Sequence, residues 1–183
     1  MDKQFPKFKL KSELRMSAEK ATKLYKLLDS SGVPVWVDGG WGVDALLEEQ
    51  TREHADLDIA IDHEHEAKMK ELLTEYGFRV VQTNDKTDWN YVLGDGRSLI
   101  DVHVFGFDES GNNIYGTKYP KDSLTGQGKI NGVTVRCISP KWAIQFKSHP
   151  KQGEVDRYDQ VKLCEKFGLP APPLFQGESS KDR

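Results

Sequence analysis

The sequence is poor in cysteine, and the two cysteines that it has do not indicate a disulfide framework. Cys137 and Cys164 form no Cys-x-x-Cys pair within the 183 residues. No apolar stretch approaches the length that crosses a membrane, and the polar N-terminus lacks the apolar core of a signal peptide. These features predict a cytoplasmic protein without a membrane partner.

An excess of charge of either sign is also missing. The chain has 26 lysine and arginine residues against 29 aspartate and glutamate residues, a formal net charge of −3 at pH 7. This balance gives no electrostatic reason to expect binding to DNA, RNA or an anionic membrane, so a nucleic-acid partner is not expected. The length suits one domain, or one domain with a small appendage, and is enough to bury a sizeable core.

Apolar periodicity divides the chain into helices and strands. Helical spacing and capping residues predict helices over residues 17–31, 40–48, 64–76, 140–148 and 155–167. Apolar alternation and hairpin turns predict strands over residues 33–37, 57–61, 78–82, 89–93, 98–105, 128–130 and 133–137. The segment 106–127 is rich in glycine, asparagine, aspartate and serine and is predicted to be a long loop.

The same reading divides the chain into four regions. A basic, mixed stretch over residues 1–16 is predicted to be an N-terminal arm, and residues 17–139 form the main domain. A C-terminal helical region over residues 140–169 is expected to pack on that domain. Residues 170–183 are rich in proline and then polar, which predicts a disordered tail.

The segment 36–62 contains the pattern from which function is inferred. A short apolar strand leads into Gly39 and Gly40, which open a helix. Such a turn presents backbone N–H groups without side chains in the way, as a bound phosphate requires. Glycines of this kind also occur in purely structural turns, but the carboxylates a short distance downstream favour the phosphate interpretation.

Those carboxylates belong to Asp56 and Asp58, at the start of an apolar strand. Residues two apart on a strand point to the same face, so the two side chains are expected to lie side by side. Neighbouring carboxylates repel each other unless a cation lies between them, and hard oxygen ligands suit Mg²⁺. A phosphate-binding turn next to a Mg²⁺ site predicts phosphoryl or nucleotidyl transfer.

Asp101 is a third candidate acid. It lies between two apolar residues of a predicted strand, on the same face as His103. Two-metal transfer uses such a carboxylate as a metal ligand or to deprotonate the incoming hydroxyl. The alternative is a buried carboxylate satisfied by its neighbours. The role of His103 remains open: it is either a hydrogen-bonding partner of Asp101 or a catalytic group.

Three further residues near the motif are candidates for nucleotide binding. Asp44 lies early in the helix that the glycines open and suits a helix-dipole or capping role. Arg52 and His54 precede the aspartate pair, where contact with a triphosphate and ordinary solvated charge are equally consistent with the sequence. Residues 63–66 (His-Glu-His-Glu) do not predict a zinc site, because helical residues two apart do not share a face.

Residues 38–44 (Asp-Gly-Gly-Trp-Gly-Val-Asp) and 51–59 resemble the small antibiotic nucleotidyltransferases. The nearest groups are the lincosamide and the aminoglycoside 2″-nucleotidyltransferases of the DNA polymerase β-like superfamily. Weaker matches bring the resemblance to most of residues 33–167, and they lie at residues 99–103, 135–139 and 156–159. The resemblance implies an α/β nucleotidyltransferase fold, a small twisted mixed sheet flanked by helices, with a short helical C-terminal region.

The resemblance also implies an activity and a distribution of roles. The expected reaction is Mg²⁺-dependent transfer of AMP from ATP to a hydroxyl of a small molecule, a lincosamide or an aminoglycoside, with release of pyrophosphate. The glycine turn would hold the triphosphate, and three carboxylates would form the metal site: Asp56, Asp58 and Asp101. Lys147 lies where a lysine of the wider superfamily reaches the nucleotide phosphates.

On the last predicted helix, Asp156 and Asp159 share a face. Two roles are open for them: orienting a lysine or arginine, or taking part directly in the reaction.

The acceptor pocket cannot be inferred from the resemblance. The nearest groups carry His-x-Gly-Tyr where this chain has residues 147–150. Aromatic loop residues suit a partly apolar antibiotic: Trp89, Tyr91, Phe107, Tyr115 and Tyr119. Acidic residues suit a cationic one instead: Asp85, Asp88 and Asp108.

Two other functions remain open at this point. One is an enzyme of the same fold that nucleotidylates RNA or protein, as a toxin does, although the near-neutral charge argues weakly against RNA. The other is a non-catalytic nucleotide-binding module, against which the retention of three carboxylates argues. The sequence also leaves open whether the protein forms a homodimer.

Overall fold

The computed structural model describes residues 13–173. Most of the expected N-terminal arm (1–16) and most of the expected tail (170–183) lie outside these residues. The described part contains five α-helices: α1 (Ala18–Ser30), α2 (Gly39–Leu47), α3 (His63–Glu75), α4 (Pro140–Phe146) and α5 (Glu154–Phe167). It contains eight strands: β1 (Val35–Val37), β2 (Asp56–Asp62), β3 (Arg79–Val81), β4 (Asn90–Gly94), β5 (Leu99–Phe107), β6 (Asn113–Gly116), β7 (Gly126–Ile130) and β8 (Val133–Cys137).

These strands form one mixed sheet in the order β3-β4-β5-β2-β1-β8-β7, and β6 pairs with β5 outside this path. The pairs β2–β5 and β1–β8 are parallel, whereas β1–β2, β4–β5 and β7–β8 are antiparallel. The expectation of a small mixed sheet flanked by helices is therefore confirmed.

The two faces of the sheet are covered by different helices. Asp58 and Asp101 share one face, and the first turn of α2 packs directly against Asp58 there. The opposite face carries α3, whose first residue, His63, packs against Gly106. Alternation along β2 buries Leu57, Ile59 and Ile61 in the core, since each of them is at most 2% exposed. Such alternation leaves Asp56 and Asp58 on the face that carries α2.

The predicted loop over residues 106–127 is wrong. Strand β5 continues to Phe107, β6 adds a short edge strand, residues Lys121–Thr125 form a 3-10 helix, and β7 begins at Gly126. Both central residues of β6 are exposed, so the strand shows no apolar alternation in the sequence. Its last residue, Gly116, has φ of +70°, and a Cβ there would collide with the carbonyl oxygen of Val104. Glycine at this position therefore permits the edge strand, although the glycine-rich composition of residues 106–127 predicted a loop.

Strand β1 is also shorter than predicted. The N–H of Val33 donates to the carbonyl of Leu28 at 2.9 Å, so this valine belongs to the turn that closes α1. The strand then begins at Val35. Among the described residues, no helix combines the length and the apolar character needed to cross a membrane.

Candidate active site

The centre of the site is a pair of carboxylates on neighbouring parallel strands. Register pairs Asp58 of β2 with Asp101 of β5, and His103 follows two residues later on the same face. One oxygen of each carboxylate and one ring nitrogen of His103 lie within 4.8 Å of one another. Side-chain alternation and strand pairing thus bring together two of the three predicted acids.

The third acid, Asp56, lies beside this group without belonging to it. Burial, followed by the charges of Asp58 and Asp101, raises the pKa of Asp56 to about 7. Burial also raises the pKa of Asp101 to about 6, where His103 acts to lower it and Asp58 to raise it further. The ionised carboxylates therefore destabilise one another, and a cation would relieve that repulsion.

His103 supplies part of the missing positive charge. Its Nε2 lies 3.8 Å from Asp58 Oδ1 and 4.0 Å from Asp101 Oδ1, so it does not pair with Asp101 alone. Burial acts against the protonated ring, but contact with Asp58 and the charge of Asp101 raise the pKa of His103 to about 9. Burial likewise acts to raise the pKa of Asp58, but His103 lowers it below its usual value.

The carboxylates of this group are suitable ligands for a Mg²⁺ ion. Mg²⁺ prefers oxygen ligands on rigid elements and keeps several waters, so two or three carboxylates are sufficient. The imidazole of His103 is a less usual ligand for this ion, since nitrogen suits softer metals. The carboxylates of Asp58 and Asp101 are therefore the groups that match the ion, with Asp56 next to them.

The glycine turn lies against this acidic centre. Gly39 has φ of +56°, and a Cβ there would collide with the carboxylate of Asp58. A Cβ on Gly40 would collide with the side chains of Arg52 and His54. Close packing alone therefore requires glycine at both positions, because α2 can begin at this place only without side chains.

Asp44 and His54 are buried and bonded to each other. Their side chains are each 2% exposed, and His54 Nε2 lies 2.5 Å from Asp44 Oδ2. Asp44 Oδ1 accepts from the hydroxyl of Thr51 at 2.6 Å, and the His54 ring packs on Trp41 with ring centroids 4.4 Å apart. The interpretation of His54 as a solvated charge is wrong. The contacts of this pair fasten the loop before β2 to helix α2.

Arg52 and Lys147 are held together by one buried carboxylate. Asp159 is 1% exposed, and its oxygens lie 3.2 and 3.0 Å from Nε and Nη2 of Arg52. Lys147 Nζ lies 2.9 Å from Asp159 and 3.6 Å from Asp156. Of the two roles left open for the aspartates on α5, the contacts favour that of orienting cations.

These two cations face the acidic centre. The charge of Lys147 contributes to lowering the pKa of Asp58, and the charge of Arg52 acts to lower the pKa of Asp56. Asp85 lies in the segment between β3 and β4, strands that lie on the side of β5 away from β2, and its charge contributes to raising the pKa of Asp101. Positive charge therefore lies next to the glycine turn, and negative charge lies beyond Asp101.

The aromatic residues considered for an acceptor pocket do not form one wall. Tyr91 points to the face that carries α3 and donates to Glu66 at 2.9 Å. Trp89 and Tyr115 are exposed and meet edge to face with centroids 6.3 Å apart. Tyr119 is buried on the face that carries the site, where its hydroxyl donates to Asp38 at 2.7 Å.

Sequence reasoning missed this last contact. The two partners are 81 positions apart, and Tyr119 belongs to the segment that was predicted to be a loop. Asp38 is the first residue of the motif over residues 38–44, and the motif alone predicts no role for it. No local pattern marks such a pair, since it depends on how the chain returns to the sheet after β6.

Comparison with known proteins gives a consistent result. A sequence model of the family described as aminoglycoside-2″-adenylyltransferase matches residues 20–163. The lincosamide resistance protein of Staphylococcus haemolyticus is 27% identical over 142 residues, which cover 75% of this chain and 88% of the relative. The 2″-aminoglycoside nucleotidyltransferase of Escherichia coli is 27% identical over 127 residues, 68% of this chain and 70% of the relative.

Solved structures show the same fold. A crystal structure of a lincosamide antibiotic adenylyltransferase bound to lincomycin has a TM-score of 0.68 at 24% identity, covering 81% of this chain and 97% of that one. The structure of ANT(2″)-Ia in complex with adenylyl-2″-tobramycin has a TM-score of 0.68 at 22% identity, covering 81% and 88%. With the family model spanning most of the described residues, the chain belongs to the aminoglycoside-2″-adenylyltransferase family and is a nucleotidyltransferase.

Proposed function

We propose that the protein transfers AMP from ATP to a hydroxyl of a small antibiotic, with Mg²⁺ as the metal ion and pyrophosphate as the second product. The observation that carries the proposal is that the Asp58–Asp101 carboxylates lie against one glycine turn and that the cations Arg52 and Lys147, both held by Asp159, act on the same acidic centre. The names of the relatives, a lincosamide resistance protein and a 2″-aminoglycoside nucleotidyltransferase, support an antibiotic as the acceptor.

The triphosphate would lie between the start of α2 and the two cations. The N–H of Gly39 is already bonded to Asp38, and that of Gly42 to the Asp38 carbonyl. The N–H groups of Gly40 and Trp41 have no partner within the helix, so they are the ones available to a phosphate. Arg52 and Lys147 would balance the charge of the phosphates that leave as pyrophosphate.

Asp58 and Asp101, with Asp56 beside them, would hold Mg²⁺. The bound ion would neutralise charge on the phosphates of ATP. Asp101 would accept the proton of the acceptor hydroxyl, and the hydroxyl oxygen would form a bond to the α-phosphorus. The bond between the α-phosphorus and the bridging oxygen breaks, and its electron pair leaves with pyrophosphate. Positioning and charge neutralisation supply most of the rate in such transfers.

The acceptor would approach from the side of Asp85. A carboxylate there favours an acceptor with a positive charge, as in an aminoglycoside, but does not exclude a lincosamide. Pyrophosphate release should therefore be measured with ATP, Mg²⁺ and either tobramycin or lincomycin, with each component omitted in turn. We expect release that needs all components.

Release with neither antibiotic, but with RNA or protein as acceptor, would instead assign the chain to macromolecular nucleotidylation. Mass spectrometry of each acceptor after incubation distinguishes these outcomes. ATP binding without release from any acceptor would indicate a nucleotide-binding module and would contradict the proposal.

A further inference from the structure

We propose that Tyr119 is a positioning residue of the nucleotide site, on which it acts through Asp38. The inference rests on the proposed function, because that function makes the glycine turn a nucleotide site. Tyr119 does not touch the carboxylate pair. Its effect comes from the contacts that determine where α2 begins relative to β2.

Asp38 joins these two elements. Its Oδ1 accepts from the N–H of Gly39 at 2.7 Å, which caps α2. Its own N–H donates to the carbonyl of Asp58 at 2.9 Å, which ties the turn to the strand that carries the acids. A displacement of Asp38 therefore moves the glycines relative to Asp58.

Tyr119 fixes the remaining oxygen of Asp38. Its hydroxyl donates to Oδ2 at 2.7 Å, and the side chain is enclosed, with the whole residue 4% exposed. Burial and the charge of Asp38 hold the pKa of Tyr119 well above its usual value, so the hydroxyl keeps its proton and stays a donor. The bond is charge-assisted, which makes it stronger than one between neutral groups.

The phenol ring is itself held in place. It meets Phe105 of β5 and Phe146 of α4 edge to face, with centroids 5.8 and 5.7 Å apart. Phe146 is followed directly by Lys147, one of the two cations of the site. The backbone before the tyrosine is fastened to β5, where Thr117 donates to Val104 at 2.8 Å. Tyr119 thus links the glycine turn, the acid-bearing strands and the lysine end of α4.

Tyr119→Phe removes only the hydroxyl and keeps the ring packing. Asp38 then loses its hydrogen bond to Tyr119, near the charges of Asp58 and Asp101. We expect the position of the glycine turn to be less precisely fixed as a result. The Kd of Mg²⁺-ATP, measured by calorimetry, should rise roughly tenfold, the equivalent of about 1.4 kcal/mol. The KM for the acceptor should stay unchanged.

Tyr91→Phe is the matched control. It also removes a hydroxyl bonded to a carboxylate, Glu66, but on the opposite face of the sheet. Both variants should lower the melting temperature by similar amounts, and only Tyr119→Phe should weaken ATP binding. An equal Kd for ATP in the wild type and Tyr119→Phe would overturn the inference. Failure of the wild type to bind ATP would instead overturn the proposed function.

A second variant tests the route through Asp38. Asp38→Ser keeps a good helix cap but has no second oxygen for Tyr119. If the tyrosine acts through this carboxylate, adding Tyr119→Phe to Asp38→Ser should not raise the Kd for ATP further. Additive effects of the two substitutions would show that Tyr119 acts by another route and would contradict the inference.

Discussion

Arg52 and Asp159 lie 107 positions apart in the sequence and form a two-point ion pair, with nitrogen–oxygen distances of 3.2 and 3.0 Å. The same carboxylate holds Lys147 at 2.9 Å. One buried aspartate on α5 therefore orients both cations that face the acidic centre. In the proposed reaction this arrangement prepares the positive charge for a triphosphate before the nucleotide binds.

Removing that carboxylate should affect both folding and binding. Asp159→Asn keeps the shape but leaves Arg52 without its bonded carboxylate and Lys147 with only the longer contact to Asp156, and we expect a loss of about 3 kcal/mol in the free energy of unfolding. The thermal stabilisation by ATP should also shrink. Asp156→Asn is the control, because its 3.6 Å contact with Lys147 is more exposed and such pairs contribute at most about 1 kcal/mol. Equal effects of the two substitutions, measured by urea unfolding, would contradict the assigned role of Asp159.

The effect of Asp159 should also depend on pH. Burial acts to raise its pKa, but Lys147 and Arg52 lower it below its usual value. A depressed pKa means that the ionised group stabilises the fold above the unfolded pKa of about 3.9, and that this stabilisation is lost as the pH falls through the folded pKa. The difference in unfolding free energy between wild type and Asp159→Asn should be constant from pH 7 to pH 5 and should shrink below about pH 4. A difference that does not change down to pH 2 would exclude this charge as its source.

Asp58 should be required for the metal-dependent part of nucleotide binding. ATP should raise the melting temperature more with Mg²⁺ than with EDTA, since a ligand that binds the folded state stabilises it. Asp58→Asn should abolish that difference. Asp62→Asn is the control, because Asp62 lies on the same strand but caps α3, a role that asparagine also fills. A metal-dependent shift that persists in Asp58→Asn would remove this residue from the metal site.

Gly39 should resist substitution for two separable reasons. Gly39→Ala places a side chain at a positive φ and also against Asp58. Gly32→Ala has only the first problem, because its φ is +72° and nothing lies within 4 Å of the added Cβ. We expect Gly39→Ala to destabilise the fold more than Gly32→Ala, by roughly 1–3 kcal/mol for the collision. Equal losses in thermal unfolding would mean that the close approach of α2 to Asp58 is not constrained.

Part of the acidic centre could be predicted because side-chain alternation within each strand is local. It puts Asp56 and Asp58 on one face of β2, and Asp101 and His103 on one face of β5. The parallel pairing that brings Asp58 opposite Asp101 is not local, and the family resemblance alone indicated that Asp101 belongs to the site. The strand-to-helix glycine turn is visible in a few consecutive residues.

The remaining parts of the site depend on contacts between distant segments. Burial of His54 and Asp44 follows from how the loop before β2 folds back on α2, and no local pattern marks that contact. Arg52 and Lys147 share the carboxylate of Asp159, and this contact requires α5 to pack next to the site. The role of Tyr119 requires β6 and the turn after it, for which no apolar periodicity exists.

Transfer of AMP to an antibiotic is tested most directly by following the α-phosphate of ATP. ATP labelled at the α-phosphorus should be incubated with Mg²⁺ and tobramycin or lincomycin, using wild type and Asp101→Asn. We expect label in an antibiotic with the wild type and a rate lower by roughly 10²–10⁴-fold with Asp101→Asn, while Mg²⁺-ATP still binds to the variant if Asp101 acts mainly as a base. Weakened ATP binding together with lost transfer would instead make Asp101 mainly a metal ligand. Absence of label from both antibiotics with the wild type, or undiminished transfer by Asp101→Asn, would contradict the account.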